Sequence, residues 1–389
     1  MPIKNRLAEM LPEIIAWRQD IHAHPELRFA EHRTAAMVAR KLRDFGCDDV
    51  VEGVGKTGVI GVIHGRGKGS GRVIGFRADM DALPITEATG LAHASTSPGK
   101  MHACGHDGHT AMLLGAAQYM AETRAFDGTV VLVFQPAEEG GGGARAMVDD
   151  GMLDRFGVQE IYGMHNWPGL PVGSFATRVG PLMAAADFFD IRLRGKGGHG
   201  AMPHQTVDTT VAAAQVVMAL QQIVARNVDP LKPAVLSICA LHTDSDTHNV
   251  IAGEAVLKGT VRYLHPEVQS LIRSRIDEVA RATAAACGAE AVLEYRPCVP
   301  PTINAPETVA HAIAAAQAVA GAVQTDIAPV MGGEDFADFL TERPGAFIFV
   351  GNGDSAALHH PTYEFNDDAI AAGCSWFATL AEQQMPLRH

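Results

Sequence analysis

The chain has 389 residues, 47% hydrophobic and 19% charged, enough to bury one large core or two moderate ones. A net charge of −13 and the lack of any Lys/Arg cluster exclude nucleic acid as an expected partner. No apolar run approaches the roughly eighteen residues of a membrane helix, so no membrane partner is expected and a cytoplasmic enzyme is the default.

In chain order, "MPIKNRLAEMLPEIIAWRQDIHAHPE" reads as an amphipathic helix, with charges throughout and no cleavage signal. Short β-branched runs then end in polar clusters: Arg72–Asp81, Thr129–Glu139, Glu160–Pro168 and, near the end, Ala346–Asn352. Helical patterns lie between them, at Thr110–Thr123 and Gly143–Asp150. Buried strands alternating with helices predict an α/β fold on a mostly parallel sheet, whose ligands gather at the carboxyl ends of strands. From about Ala185 the pattern changes to strand, helix, strand, strand, helix (Pro266–Cys287), strand, the β-α-β-β-α-β order of a ferredoxin-like α+β unit. Pro297, Pro300, Pro301 and Pro306 punctuate its exit, and a helix at Glu307–Gly321 resumes the first pattern. The expected domains are therefore 1–184 with 301–389, interrupted by 185–300.

The six cysteines (Cys47, Cys104, Cys239, Cys287, Cys298, Cys374) lack framework spacing and read as free thiols. Only Cys104 has histidine neighbours, in "MHACGHDGHT". Two residues apart, Cys104 and His106 diverge on a helix but share a side of an extended segment. Gly105 and Gly108 favour a loop. Thiolate and imidazole suit zinc and similar metals, although a C-x-H pair alone is weak evidence. In "QPAEEGGGG", adjacent Glu138 and Glu139 follow a strand and project in different directions, so one can hold a metal while the other faces a water. The alternative is an ordinary acidic helix start. His165 in "GMHNWP" and His359 in "LHHP" also follow strands; each alone reads as structural, but four such clusters at strand ends point to one site. Asp79 and Asp81 in "RADMDALP" either orient metal ligands from behind or simply end a strand.

Together "DIHAHPEL", "RADMDALPI", "MHACGHDGHTAMLLGAA", "FQPAEEGGGGA", "GMHNWPG", "GKGGHGAMPH", "MGGEDFA" and "LHHPTYEFND" resemble the aminoacylase/carboxypeptidase metallopeptidases of family 20. The subfamily resembled is that of hippurate hydrolases and N-acyl-amino-acid amidohydrolases, and the matches run in order from about residue 18 to 370. The resemblance implies a dinuclear catalytic domain and a smaller inserted lid domain that often mediates dimerisation, hence a homodimer or higher homo-oligomer. It implies Cys104 as the bridging ligand, where relatives outside the subfamily carry an aspartate. His106, Glu139, His165 and His359 become the other ligands of two divalent ions, zinc first, with manganese, cobalt or nickel also suited. His359 is taken over His360 because the family pattern tolerates other residues after it. Glu138 becomes the general base. His199 of "GGHG" matches a histidine lent to a neighbouring subunit's active site. Asn249 of "HNVIAGE" and Arg262 of "GTVRY" match residues that hold the substrate carboxylate. Without the resemblance these three read as ordinary loop, turn and strand residues. His22, His24, His109 and His204 need be only structural neighbours.

The expected activity is cleavage of N-acyl-L-amino acids, hippurate-like with aromatic or aliphatic acyl groups, to a carboxylic acid and an amino acid. The alternatives are a metallo-dipeptidase or carboxypeptidase on the same site, a cysteine hydrolase using Cys104 with His106 or His109, a non-catalytic metal-binding protein, and a structural zinc site.

Overall fold

The structure, a computed structural model, describes residues 5–67 and 69–387, so the first four residues of the N-terminal helical pattern lie outside it. The chain forms two compact units. One comprises the chain up to Leu182, Ile303–Ala328 and Asp335 onward; the other comprises Met183–Thr302 and Pro329–Glu334.

The first unit is built on an eight-stranded sheet in the order Asp49–Val54, Gly58–His64, Thr129–Gln135, Val73–Asp79, Glu160–Trp167, Gly345–Gly351, Phe175–Ala176, Val323–Gln324. The four central strands, from Thr129–Gln135 to Gly345–Gly351, run parallel; the flanks mix in antiparallel pairs. Val130, Val131, Leu132, Val133 and Phe134 are all buried, as a central parallel strand covered on both faces requires. The helix Asn5–Ala23 buries Leu7, Met10, Ile14, Trp17 and Ile21, spaced three or four apart on one stripe. It packs with His106–Thr123 and Ile370–Gln384, and Ile370–Gln384 also packs on Pro306–Ala320. In His106–Thr123 the run from His106 through Ala117 is buried, so this helix sits inside the core, and the buried run is polar only in its first turn, where His106, Asp107, His109 and Thr110 lie. Because the central strands share one direction, the segments after Asp79, Gln135 and Gly351 and the last residues of Glu160–Trp167 emerge along one sheet edge.

The second unit is a four-stranded antiparallel sheet in the order Ala234–Thr243, Glu254–Tyr263, Ala185–Arg194, Glu290–Val299. With helices Thr209–Leu220 and Pro266–Ala286 it has the connectivity β-α-β-β-α-β. Asp208 caps the first helix, accepting from the N–H groups of Thr210 and Val211. Phe189, Ile191, Leu193, Val216, Leu257, Val261, Ile272 and Ile276 fill its core. The chain boundary differs from the expected one: Pro329–Glu334 belongs with this unit, because the Ala184 N–H reaches the carbonyls of Val330 and Gly332 at 3.0 Å. That pairing is between segments about 150 residues apart and leaves no local sequence signal. No helix among the described residues is long and apolar enough to cross a membrane.

Candidate metal centre

The exits of the central strands supply one set of donors. His165 lies inside Glu160–Trp167, two residues before its end rather than after it. Its buried Nδ1 donates to the Asn166 carbonyl at 2.6 Å, which leaves Nε2 as the acceptor facing Cys104 Sγ at 3.4 Å. Glu138 and Glu139 lie in the turn after Thr129–Gln135. Both of their N–H groups donate to Asp81, at 3.0 Å each, so one carboxylate anchors both residues. Glu139 Oε1 lies 3.2 Å from His359 Nε2, and Glu138 Oε2 lies 4.0 Å from His106 Nε2. His359 is not at a strand end but in the loop after Gly345–Gly351. Its backbone is left-handed (φ 65°), and its N–H donates to Ala103 at 2.7 Å, tying it to the residue before Cys104. Its side chain is 52% exposed, so the centre opens to solvent on the His359 side.

The expected loop at Gly105–Gly108 is corrected by the structure: helix His106–Thr123 starts at His106 and runs through Gly108. The two glycines have packing causes. Gly105 is left-handed (φ 89°), and a Cβ there would sit 2.2 Å from Asn166 Nδ2. Gly108 lies against Phe365, whose ring atoms would be 2.3–2.5 Å from a Cβ. Cys104 therefore precedes the left-handed turn and His106 opens the helix, and this change of direction, not an extended segment, lets both converge.

Cys104, His106 and His165 place their ligand atoms within 4.8 Å of one another, as do Cys104, Glu139 and His359, and His106, Glu138 and Glu139. Cys104 belongs to the first two groups. The structure thus brings together all five candidate ligands and Glu138. His106 Nδ1 faces Asp81 at 3.3 Å, and its buried Nε2 has no hydrogen-bond partner although Asp79 and Glu138 oxygens lie 3.7 and 4.0 Å away. A buried, unpartnered imidazole nitrogen facing carboxylates fits a cation. Burial opposes charge on His106, but Asp79, Asp81 and Glu139 outweigh it and raise its pKa to about 10. Burial, followed by Glu139 and Glu138, pushes the Cys104 thiol well above its ordinary value. A thiol held protonated is a poor nucleophile, against the cysteine-hydrolase alternative, and would need a cation to lose its proton.

A buried layer behind these groups was only partly visible in the sequence. Asp79 accepts from His109 Nδ1 and from Arg77 Nη1, both at 2.7 Å. His109 Nε2 accepts from Asn166 N at 2.9 Å, so both of its ring nitrogens are committed. Asn166 Nδ2 donates to the Cys104 carbonyl at 2.6 Å, and Asn166 Oδ1 accepts from Tyr363 at 2.6 Å. Arg77 also donates to Gln135 and Asp335, at 2.7 and 3.1 Å. Arg77 was missed, yet a charged residue inside the apolar run "VIGFRAD" must find buried partners and was itself a signal. His22 pairs with Asp107 at 2.9 Å, His24 with the Asp20 carbonyl at 2.8 Å, and His204 lies on the one-turn segment Pro203–Gln205.

In the second unit, exposed His199 sits on the short strand Gly198–His199, opposite Val250 and next to Asn249, whose carbonyl accepts from Gly200 N at 2.7 Å. Arg262 lies on Glu254–Tyr263, between Ala186 and Val235, and is half-buried.

Residues 75–383 match the profile of peptidase family M20/M25/M40. The hippurate hydrolase of Campylobacter jejuni is 41% identical over 94% of this chain and 94% of its own. An N-acetylcysteine deacetylase of Bacillus subtilis is 40% identical over 95% of this chain and 96% of its own. The crystal structure of the Bacillus subtilis YXEP protein, described as a dinuclear metal-binding peptidase of the M20 family, superposes with a TM-score of 0.85 at 36% identity, covering 97% of this chain and 99% of that one. Matches of this extent, together with a thiol–imidazole–carboxylate cluster suited to cations, make the chain a metal-binding amidohydrolase of peptidase family M20/M25/M40.

Proposed function

We propose that the protein hydrolyses N-acyl-L-amino acids at a centre where Cys104, His106, His165, Glu139 and His359 would hold two divalent cations. The observation that carries this reading is that two groups of donors within 4.8 Å of one another, Cys104 with His106 and His165 and Cys104 with Glu139 and His359, together contain all five proposed ligands. Zinc suits the mixed S, N and O donors first; manganese, cobalt and nickel are also suited. Such cations supply Lewis acidity toward a water and an amide carbonyl. Glu138, which is not needed to complete either ligand group around Cys104, takes the proton of the attacking water and passes it to the departing nitrogen. Asp79 keeps the hydrogen of His109 on Nδ1, so that its Nε2 accepts from Asn166, and Asp81 holds Nδ1 of His106, leaving Nε2 as the atom that would meet a cation.

The substrate class follows from the hippurate and N-acetylcysteine of the relatives' names: an acyl group on the nitrogen of a free amino acid. We assign residues 185–300 the role of lid and dimer contact, with His199 donating to the developing oxyanion, in the neighbouring subunit's site. Asn249 and Arg262 hold the α-carboxylate, for which a planar guanidinium is well shaped. All six cysteines are free thiols, which agrees with a cytoplasmic setting.

The test is metal analysis combined with hydrolysis of a panel of N-acetyl-, N-benzoyl- and carboxylate-blocked amino acids, before chelation, after it, and after return of each metal. Two metals per chain and chelator-sensitive activity on free-carboxylate substrates are expected. Full activity in metal-free protein would overturn the reading.

A further inference from the structure

Among the described residues the non-glycine residues with positive φ are Phe29 (58°), Lys56 (82°), Arg124 (46°), Ala137 (54°) and His359 (65°). Left-handed backbone at such residues is strained and persists only where neighbours hold it. Two of the five, Phe29 and Ala137, are hydrogen-bonded to one side chain, the fully buried Glu31, and a third, Lys56, immediately precedes a residue that is. Glu31 Oε1 accepts the N–H of Phe29 and the N–H of Ala137, both at 2.9 Å. Glu31 Oε2 accepts from the Thr57 hydroxyl, at 2.6 Å, immediately after Lys56. Ala137 is the residue before Glu138 and Glu139, whose N–H groups both reach Asp81 at 3.0 Å. The strand leading into this turn would otherwise continue extended, sending consecutive N–H groups to opposite sides.

We infer that Glu31 is a positioning residue: by holding Ala137 in the left-handed conformation it turns the backbone so that Glu138 and Glu139 both point into the cation site. This rests on the proposed roles of Glu138 and Glu139. Its chemistry is acceptor geometry rather than charge. A glutamine fits the same place, because its carbonyl oxygen can accept both N–H groups while its amide donates to Thr57, whose hydroxyl can turn round to accept. An aspartate keeps the charge but withdraws the acceptor by one methylene.

The experiment compares the metal-loaded wild type with Glu31→Gln, Glu31→Asp, Glu31→Ala and the double variant Glu31→Ala/Ala137→Gly. Two readouts are taken: kcat and KM on an N-acyl-amino acid, and metal retention against a competing chelator, which needs no substrate. Glu31→Ala should lower kcat about 100-fold, the scale of a small misplacement of reacting groups, with little change in KM. It should weaken metal retention about 10-fold, as loss of an outer support does. Glu31→Gln should stay close to wild type in both and should exceed Glu31→Asp, although only the latter keeps the charge. Ala137→Gly should restore a large part of both losses in the Glu31→Ala background, because glycine adopts positive φ without strain. A merely structural glutamate would not be rescued by a glycine at position 137. The inference is overturned if Glu31→Ala behaves as wild type, if the glycine restores nothing, or if Glu31→Asp outperforms Glu31→Gln. Should Glu31→Ala give no folded protein, the order of Gln and Asp decides alone. If the wild type holds metal but cleaves no N-acyl-amino acid, the functional reading fails while chelator competition still decides the role of Glu31.

Discussion

Asp81→Asn is the most direct test of how the centre is held. Asp81 Oδ1 accepts from Glu138 N at 3.0 Å and from His106 Nδ1 at 3.3 Å, while Oδ2 accepts from Glu139 N at 3.0 Å. All three donors need an acceptor, and an amide has only one oxygen. The best placement keeps the oxygen on Glu138 and His106 and sets the –NH2 group against the Glu139 N–H. A hydrogen bond to a charged acceptor is then lost, about 1.5–3 kcal/mol, and a buried N–H is left facing a donor, about 1–3 kcal/mol. Roughly 2.5–6 kcal/mol of local strain results, which the turn relieves by rotating Glu139 off its aim. Metal affinity should fall about 10- to 100-fold, the range for removing a partner that orients a ligand. Chelator competition on the purified variant measures this directly. Wild-type retention of both metals in Asp81→Asn would refute the argument that this carboxylate aims the ligands.

Three further outcomes are expected. Glu138→Gln should keep both metals yet lose about 10²–10⁴ of turnover, as removal of a general base does; wild-type kcat would remove Glu138 from that role. Gly108→Ala should destabilise by about 1–3 kcal/mol, because the new methyl overlaps the Phe365 ring and this outweighs a helix-propensity gain of about 1 kcal/mol. Combining it with Phe365→Ala should abolish that penalty, and an equal loss of thermal midpoint in both backgrounds would contradict the packing account. The third outcome concerns pH. Burial opposes the charge on His22, but Asp107 and Glu87 outweigh it and raise its pKa from 6.5 to about 9. The stabilisation from this raised pKa is fully present below pH 6.5 and is lost as pH rises through about 9, on the order of 3 kcal/mol in all. Thermal midpoints between pH 6 and 10 should therefore fall more steeply for wild type than for His22→Gln; parallel curves would exclude the ion pair.

Local sequence carries the strands and helices because side-chain period and burial are local properties. "TVVLVF" forms a strand buried on both faces, and the spacing of Leu7, Met10, Ile14, Trp17 and Ile21 marks one helical stripe. The donor types were legible for the same reason: a thiol, imidazoles and paired carboxylates stand beside glycines and strand ends, and parallel strands deliver such ends to one edge. What the local pattern misjudged was the purpose of particular residues. Gly108 looked like a loop signal, but it makes room for a phenylalanine 257 positions further along the chain. Arg77, Asn166 and Tyr363 acquire meaning only through partners that the fold supplies. Convergence of Cys104, Glu139 and His359, and the strained turns gathered on Glu31, belong to the tertiary structure alone. Chain proximity sets periodicity and donor chemistry, whereas the aim of a side chain within a few ångströms depends on contacts between segments that share no sequence neighbourhood.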